Sequence, residues 1–433
     1  MQRFYHKTSD RIFAGAEQKT TKSRNDASVY GRLQDMGNEQ SNRKRILVSI
    51  PTNSHTQRRK LEGLLRYVRE RHGDSWRLQL DLGGFVSQRL KGFANWRCDG
   101  IIAYIDDPAT RRHFLSAKLP TVLIEPFLSP GSHITSRRNT VTFVNDHARE
   151  GQTAADHFLS QHFKSFAFIG TPEETPWSRL RETGFTERLK SKGRVCQVYP
   201  KLPADERVDF AREMPRLVKW LEGLPRPTAL FAAHDLRARQ VLTAADAAGI
   251  DVPGHVSVLG VDNDEIICET ATPALSSIPT QDESLGYACG RALEELFKGH
   301  PGDKVLRTTH TRVVNRASTD LNAVDDPFVA RALGWVRKHL SEGASVDAVA
   351  KGIGYSKRLL QTRARHALGT TLGEEIRRIM LETAAELLAN TDRSVTDIAS
   401  DCGFTNVSHL SMRFRERYRK TPLAYRKASA FEY

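Results

Sequence analysis

Residues 394–426, SVTDIASDCGFTNVSHLSMRFRERYRKTPLAYR, contain the pattern that decides the fold of the C-terminal part of the chain. Ser394, with an aspartate three positions later, predicts a helix start of the capping-box type. Gly403 interrupts this short helix, and Asn406 is a favourable N-cap for a second one. The second helix carries a buried stripe at spacings of three or four: Val407, Leu410, Phe414 and Tyr418. Two short helices joined by a glycine-containing turn form a helix-turn-helix pattern.

The open face of this second helix is polar and basic, which suits a nucleic acid. Short polar side chains near a helix start reach base edges, whereas arginines suit phosphates. We therefore predict that Arg413 and Arg415 contact phosphates and that the shorter side chains face bases. The predicted DNA-binding residues on this helix are Asn406, Ser408, His409, Met412, Arg413 and Arg415. An ordinary amphipathic helix pair with a solvated basic face is the alternative.

The same stretch resembles the second helix-turn-helix of AraC/XylS-type transcription regulators. Arg419 departs from that family, which usually has a glycine where the recognition helix ends. The resemblance implies sequence-specific binding to double-stranded DNA. It is carried by Ile398-Ala399, Gly403-Phe404, Leu410, Phe414, Thr421-Pro422 and Tyr425-Arg426.

An internal repeat extends this pattern toward the N-terminus. The motif around Ser345 and Gly354 recurs around Ser394 and Gly403, with a period of about 49 residues. A single helix, Leu372 to Ala389, is predicted to connect the two units. The recognition helix of the first unit is expected from Ser356 to Ala367. Its predicted DNA contacts are Ser356, Lys357, Arg358 and Gln361.

Length and charge limit the class of protein. The chain has 433 residues, a formal net charge of +14 and 5 cysteines. This length predicts two or three domains, and the charge favours a polyanion or a membrane surface as partner. No apolar run approaches the roughly 20 residues of a membrane-spanning helix, and the N-terminus has no apolar signal core. Scattered cysteines without a C-x-x-C pair are typical of a reduced protein, so we expect a cytoplasmic location.

Residues 45–318 alternate short apolar runs with helical segments. Runs such as Arg45–Ile50, Gly100–Ile105 and Ser165–Gly170 predict buried strands, and the alternation predicts parallel sheets of βαβ units. A last strand is predicted near Arg307 to Val314. Two successive series of this size predict two lobes with a cleft between them.

Polar residues at the predicted strand ends suit a hydroxylated ligand, because ligands of open parallel sheets lie beyond the carboxyl ends of strands. Capping of the following helix is the alternative role for each of them. Trp177 is a candidate for stacking on an apolar ligand face, or for a core or lid position. The candidates found at strand ends are Asn53, Asp106, His234, Asp235 and Asp262.

This region also resembles the periplasmic-binding-protein-like effector domain of LacI/GalR-type regulators. In that family an arginine three positions before a glycine binds the effector, which implies this role for Arg181. The aspartate after Gly-Val binds it as well, which implies the same for Asp262. The resemblance is carried by Cys98–Ile102, Asn145-Asp146, Phe166–Gly170, Arg181, Gly184-Phe185, Gly260–Asp262 and Arg316–Ser318.

The sequence thus predicts a two-lobed α/β periplasmic-binding-protein-like domain followed by an all-α domain with two helix-turn-helix units. The predicted boundaries are a polar, mostly disordered leader at 1–44, the effector domain at 45–318, a linker at 319–327 and the DNA-binding domain at 328–433. The two resemblances together imply a transcription regulator controlled by a small ligand, expected to be a sugar such as xylose. A homodimer is expected, and RNA polymerase is a candidate partner.

Two other functions compete with this prediction: a sugar-acting enzyme, and a sugar-binding protein with only non-specific DNA affinity. The sequence has no P-loop, G-x-S-x-G, H-E-x-x-H or dinucleotide glycine fingerprint, so neither catalysis nor a cofactor is expected. The histidines do not pair with Cys or Asp at metal-ligand spacing, so no metal site is expected. Steep salt dependence without sequence preference would favour the non-specific binder.

Overall fold

The computed structural model describes residues 43–81, 98–105, 108–116, 118–124, 138–203, 207, 209–302, 304–308, 312–320, 324, 326–391 and 393–429. The predicted leader, 1–44, lies almost entirely outside these residues, and so does Asp106. No helix within the described ranges is long and apolar enough to cross a membrane.

The first lobe is built on a six-stranded parallel sheet with the strand order β11-β5-β4-β3-β1-β2. Side chains on successive strand residues point to opposite faces. Ile46 and Val48 therefore pack with helices α1 and α8, whereas Leu47 packs with helix α2 on the other face. The elements are β1 (Lys44–Ser49), α1 (His55–Arg71), β2 (Trp76–Asp81), β3 (Gly100–Tyr104), α2 (Pro108–Ser116), β4 (Thr121–Ile124), β5 (Thr140–Asn145), α8 (Asp282–Phe297) and β11 (Lys304–Thr308).

The second lobe is a five-stranded parallel sheet with the order β10-β9-β8-β6-β7. Phe158 and Phe185 of helices α3 and α4 pack on one face of it, and Leu217 and Val241 of α5 and α6 pack on the other. The elements are α3 (His147–Ser160), β6 (Ser165–Ile169), α4 (Pro176–Lys190), β7 (Cys196–Val198), α5 (Phe210–Glu222), β8 (Thr228–Ala232), α6 (Asp235–Ala247), β9 (Val256–Asp262), α7 (Glu265–Thr270) and β10 (Ser276–Pro279).

The described chain crosses between the lobes after β5, after β10 and after β11. The last crossing corrects the predicted strand near 307–314. Strand β11 ends at Thr308 in the first lobe, and Val314 forms an antiparallel bridge with Ser277 of the second lobe. One stretch of sequence therefore contributes to both sheets, which local sequence pattern does not reveal.

The C-terminal domain is helical, and side-chain caps start most of its helices. Ser345, Ser356, Thr371, Ser394 and Asn406 each accept a hydrogen bond from a backbone N–H of the first turn. These caps confirm the predicted helix starts. The helices are α9 (Pro327–Lys338), α10 (Val346–Ile353), α11 (Lys357–Leu368), α12 (Leu372–Asn390), α13 (Val395–Asp401), α14 (Val407–Tyr418) and α15 (Pro422–Ser429).

Helix α12 matches the predicted connecting helix, and the two helix-turn-helix units share one hydrophobic core around it. Both ends of the predicted linker, 319–327, belong to the neighbouring domains. Thr319 is buried and donates a hydrogen bond to the Ser276 hydroxyl, whereas Pro327 is the first residue of α9, after the cap Asp326. The helical domain therefore follows the second lobe after only a short segment.

Candidate ligand cleft and DNA-binding surface

A cavity of about 190 Å³ lies between the two lobes. Most of the side chains that line it are polar, and they come from both lobes and from the crossings. They include Gln57, Lys60, Asn145, Thr280 and Asp282, and from the second lobe His147, Trp177, Arg181, His234 and Asp262. A ligand in this cavity touches both lobes at once.

Arg181 is held rigidly at the second-lobe wall of this cavity. Its Nε donates to Glu150 Oε2 at 2.5 Å, and its Nη1 donates to the carbonyl oxygen of Ala233. Its Nη2 lies 3.7 Å from Asp262 Oδ1. Because Nε and Nη1 already have partners, Nη2 is the part of the guanidinium left for a ligand.

Glycines bring the two helices behind this wall into close contact. A Cβ at Gly151 of α3 would collide with the carbonyl oxygen of Arg181, and a Cβ at Gly184 of α4 would collide with that of Ala148. The close crossing places Glu150 of α3 beside Arg181 of α4. Both helices therefore position the same ion pair.

Three polar atoms in the wall are buried without a hydrogen-bond partner among the described residues. They are His147 Nε2, His234 Nδ1 and Gln57 Oε1. A buried unsatisfied polar atom costs about 1–3 kcal/mol, so such a cluster indicates a polar ligand. Burial, helped by the charges of Arg181 and Arg237, lowers the pKa of His234 to about 3. His234 is therefore neutral near pH 7 and offers one donor and one acceptor.

Trp177 joins these groups into one surface. Its ring centroid lies 5.6 Å from that of His234 and 6.4 Å from that of His147, and the Arg181 guanidinium carbon lies 4.9 Å from it. The indole lines the cavity and also supports the arginine through a cation–π contact. Its predicted contact with an apolar ligand face is compatible with this position.

Two aspartates at the strand ends have different positions. Asp262 ends β9 with a φ of 110°, which is strained for a residue other than glycine, and it lines the cavity. Burial in the cleft raises its pKa well above the usual range. Asp235 lies behind the cavity wall, where it accepts from Ser277 Oγ at 2.6 Å and from the Asp264 N–H at 2.8 Å. Burial raises the pKa of Asp235 to about 7, and it fixes the loop after β9 instead of lining the cavity.

Sequence reasoning missed several lining residues and placed one outside the cavity. Asn53 is exposed and does not line it, and Asp106 lies outside the described residues. Lys60 and Asp282 form an ion pair of 2.5 Å in which each side chain is 3% exposed. Lys60 lies on the same buried helix face as Leu64 and Tyr67. A charged residue on an otherwise apolar helix face is the sequence signal that could have identified it as a cleft residue.

Acidic groups around the cavity outnumber the basic ones. Lys60 and Arg181 are basic, whereas Asp282, Asp262 and the buried Glu150 are acidic. The site therefore has no surplus positive charge for an anion. It suits an uncharged ligand with several donors and acceptors.

The predicted DNA-binding residues all lie on the two recognition helices, α11 and α14, or at their caps. On α14, Ser408, Met412 and Arg415 are exposed, whereas His409 is partly buried. Some polar atoms are already used within the protein. Asn406 Oδ1 accepts from the His409 N–H at 2.8 Å, Arg413 pairs with Glu416 at 3.0 Å, Lys357 pairs with Asp347 at 2.9 Å, and Ser356 Oγ accepts from the Leu359 N–H at 3.2 Å.

Comparisons with known proteins agree with both halves of this architecture. A family described as a periplasmic binding protein-like domain matches residues 155–319, and a helix-turn-helix domain family matches residues 349–428. The xylose operon regulatory protein of Escherichia coli (strain K12) is 28% identical over 394 residues, covering 90% of this chain and 98% of that protein. The regulatory protein SoxS of Salmonella typhimurium is 40% identical over 99 residues, covering 23% of this chain and 92% of SoxS.

A solved structure described as the xylose-binding transcription activator is similar along the same span. It is 26% identical, covers 90% of this chain and 100% of its own, and superposes with a TM-score of 0.58. The fold and the two surfaces define a ligand-controlled, sequence-specific DNA-binding transcription regulator. The chain belongs to the AraC/XylS-type regulators and carries a LacI/GalR-like, periplasmic-binding-protein-like effector domain.

Proposed function

We propose that this regulator senses a neutral monosaccharide, with xylose as the first candidate, in the cavity between the two lobes. The observation that carries the proposal is the cluster of unsatisfied atoms on Gln57, His147 and His234 beside Arg181 Nη2 and Asp262. Sugar hydroxyls both donate and accept, so they match such a mixed set. The two relatives named for xylose support this ligand class.

Closure of the two lobes around the sugar is the proposed signal. The ligand joins the first lobe, through Lys60 and Asp282, to the second, through Arg181 and Asp262. A ligand shifts the DNA-competent population only by binding one state more tightly, and a near-complete switch needs about 5.5 kcal/mol of difference. The helical domain follows the second lobe directly and would respond to this closure.

The test combines sugar binding with operator affinity. Arg181→Ala and Asp262→Ala are expected to abolish the effect of D-xylose on DNA affinity yet to leave basal DNA binding intact, since neither residue lies in the helical domain. Asn53→Ala is the matched control, because Asn53 is exposed outside the cavity, and it is expected to respond normally. A thermal-shift series with D-xylose, D-glucose and D-xylonate tests the charge argument. Preferential binding of the anionic xylonate, or a normal response from Asp262→Ala, would refute the proposed site.

We propose that both recognition helices engage one face of the duplex through the residues named above. The shared core around α12 supports this, since it holds α11 and α14 in one rigid domain. Their major-groove sites would lie about one helical turn, roughly 34 Å, apart. A footprint limited to one major-groove segment would contradict this arrangement.

We further propose an effector domain at 44–319 and a DNA-binding domain that starts at 327, each one residue beyond the limits that the sequence predicts. We also propose a cytoplasmic homodimer, no catalytic activity and RNA polymerase as a partner. The relatives, which are named as regulatory proteins, support the absence of catalysis. Light scattering with and without operator DNA tests the dimer. Product analysis after incubation with sugars tests the absence of catalysis, and conversion of any sugar would refute it.

A further inference from the structure

A second and larger cavity, of about 600 Å³, lies between the second lobe and the helical domain. Helix α3 and the segment after β11 form one wall, and α9, α12, α14 and α15 form the other. No residue lines both this cavity and the cleft between the lobes. The cleft meets α3 at its first residue, His147, whereas the second cavity runs along α3 from Arg149 to Ser160.

Four arginines line this second cavity, and the acidic residues beside them are already engaged. Asp156 pairs with Arg188 at 2.6 Å, and Glu382 pairs with Arg417 at 2.7 Å. Glu386 accepts from the backbone N–H and the side-chain amide of Asn315 at 3.0 and 3.1 Å. The arginines are Arg149, Arg312, Arg337 and Arg417.

Arg337 and Arg417 are paired with carboxylates, and Arg149 donates to the neutral side chain of Gln152, whereas Arg312 has no such partner among the described residues. It makes no ion pair or hydrogen bond among the described residues, although it is partly buried. Burial lowers its pKa to about 10, against the opposing influence of Tyr425 and Glu386. Arg312 therefore remains charged near pH 7 without a direct partner, which favours an anion at this wall.

His157 is a second, independent sign of a missing ligand. Its Nε2 is buried without a hydrogen-bond partner in the described structure. Burial, reinforced by the charges of Arg337 and Arg378, lowers its pKa to about 3. The imidazole is thus neutral, and the potential around it is positive. A neutral imidazole can still donate one N–H to an anion.

We propose that this cavity is a second binding site, which takes a small anionic metabolite carrying phosphate or carboxylate groups. Arginine suits such groups because its guanidinium donates two parallel hydrogen bonds to their oxygens. The cleft between the lobes has no surplus positive charge and suits a neutral sugar. Arg312 and His157 Nε2 have no partner among the described residues, so the second cavity suits an anion.

Occupancy of this site is linked to DNA binding, because its walls come from two domains. Beside it, His162 Nε2 contacts Glu375 Oε1 at 3.3 Å, and the Glu386 carboxylate contacts Asn315. An anion between the walls stabilises this one orientation of the helical domain. Such coupling is reciprocal. If the bound anion changes the affinity for DNA by a given factor, bound DNA changes the affinity for the anion by the same factor.

The experiment uses the full-length protein without DNA in a thermal-shift assay. The probes are inorganic phosphate, ribose 5-phosphate and succinate, each compared with sodium chloride at equal ionic strength. Wild type is expected to gain stability with at least one probe, by an amount that rises with the ratio of concentration to Kd. The difference between the phosphates and succinate identifies the anion class.

Two variants locate the binding. Arg312→Ala is expected to lose the response, whereas Arg415→Ala, which removes an exposed arginine from the DNA-binding surface, retains it. His157→Leu is a second cavity variant in case Arg312→Ala fails to fold. Absence of stabilisation beyond sodium chloride in wild type, or equal stabilisation of wild type and the cavity variants, overturns the proposal.

The outcome is separable from the sugar proposal. Asp262→Ala is expected to keep its response to the anion and lose that to D-xylose, and Arg312→Ala is expected to show the reverse. Operator affinity measured with the active anion should change at least severalfold in wild type and remain unchanged in Arg312→Ala. Unchanged affinity in wild type would overturn the linkage to DNA.

Discussion

The two helix-turn-helix units have the same plan but different interiors and neighbours. Their first helices are capped by Ser345 and Ser394, which are 49 positions apart, and their recognition helices by Ser356 and Asn406, which are 50 apart. The second unit is thus one residue longer between its two caps: its first helix is one residue shorter, and its turn is two residues longer. Each recognition helix has 12 residues, so the repeat preserves the length of the recognition helix while the turn varies.

Their interiors differ at one matched position. Ala364 and Phe414 are both 0% exposed, but only the phenylalanine adds a large side chain. Phe414 packs against Tyr418 and Tyr425 with centroids 4.5 and 5.2 Å apart. The same two tyrosines line the cavity against the second lobe. The second unit thus combines an aromatic core with the contact to the effector domain, whereas no residue of α10 or α11 lines that cavity.

The largest expected effect comes from the aromatic core. Phe414→Ala should lower the free energy of unfolding of the helical domain by about 3–5 kcal/mol, because it leaves a cavity among buried side chains. Ala364→Phe tests the other unit and should cost about 1–3 kcal/mol by overpacking. Urea unfolding measures both. If Phe414→Ala lost less than about 1 kcal/mol, the aromatic side chain would add little stability beyond that of the alanine at the matched position 364, and the two interiors would be energetically equivalent.

The next largest difference in stability is expected between the glycines of the two turns. Gly354 and Gly403 have φ angles of +76° and +74°, so a side chain at either position costs about 1 kcal/mol. At Gly403 an added Cβ would also collide with the carbonyl oxygen of Leu340, whereas at Gly354 the space is open. Gly403→Ala should therefore lose at least about twice as much stability as Gly354→Ala, whose loss should be about 1 kcal/mol. Equal losses in the same urea assay would mean that the second turn moves to accept the Cβ.

The proposed phosphate contacts offer a third comparison. Arg365, at the position 50 residues before Arg415, is the matched arginine of the first unit, and both are exposed in the last turns of α11 and α14. Each alanine variant should weaken binding to all DNA sequences alike, by about tenfold at 0.1 M salt. It should also reduce the slope of the logarithm of the binding constant against the logarithm of the salt concentration by about one. Fluorescence anisotropy over a salt series measures this, with Lys192→Ala on the effector domain as control. If Arg415→Ala reduces the salt slope and Arg365→Ala does not, the phosphate contact belongs to the second unit and not to the first.

The smallest effect concerns the ends of the recognition helices. Gly369 ends α11 with a φ of +70°, and Arg419 ends α14 with a φ of +56°. Arg419→Gly should relieve this strain and raise the free energy of unfolding by about 0.5–1 kcal/mol. Gly369→Ala should lower it by about 1 kcal/mol. Destabilisation by Arg419→Gly would indicate that the arginine side chain contributes more than the strain costs.

Helices of the C-terminal domain were predictable because their signals are local. The caps Ser394 and Asn406 and the apolar stripe around Leu410 lie within a few residues of the bonds they specify. The departure at Arg419 was also visible, and the structure shows that the arginine adopts the left-handed conformation itself. The predicted strand near 307–314 failed because its two ends pair in different sheets.

The ligand cleft was predictable only in part. Resemblance and strand ends indicated Arg181, His234 and Asp262, and the structure brings these three together with Trp177. Lys60 was not found because it lies inside a helix, whose contact with the cleft depends on the packing of distant elements. His147 and Asp282 follow β5 and β10 closely, so their positions after strand ends were an available signal that was not used.

The sequence by itself determined the helix-turn-helix repeat, the alternating α/β segments and the order of the two domains. Each of these depends on hydrogen bonds and apolar spacing within one segment. Only the tertiary structure decided that Glu150 and the Ala233 carbonyl occupy two sides of the Arg181 guanidinium, that Arg312 has no ion pair or hydrogen bond among the described residues and that two separate cavities border α3. These properties depend on which side chains from distant segments meet and on which charges are left unpaired, and spacing along the chain does not encode either.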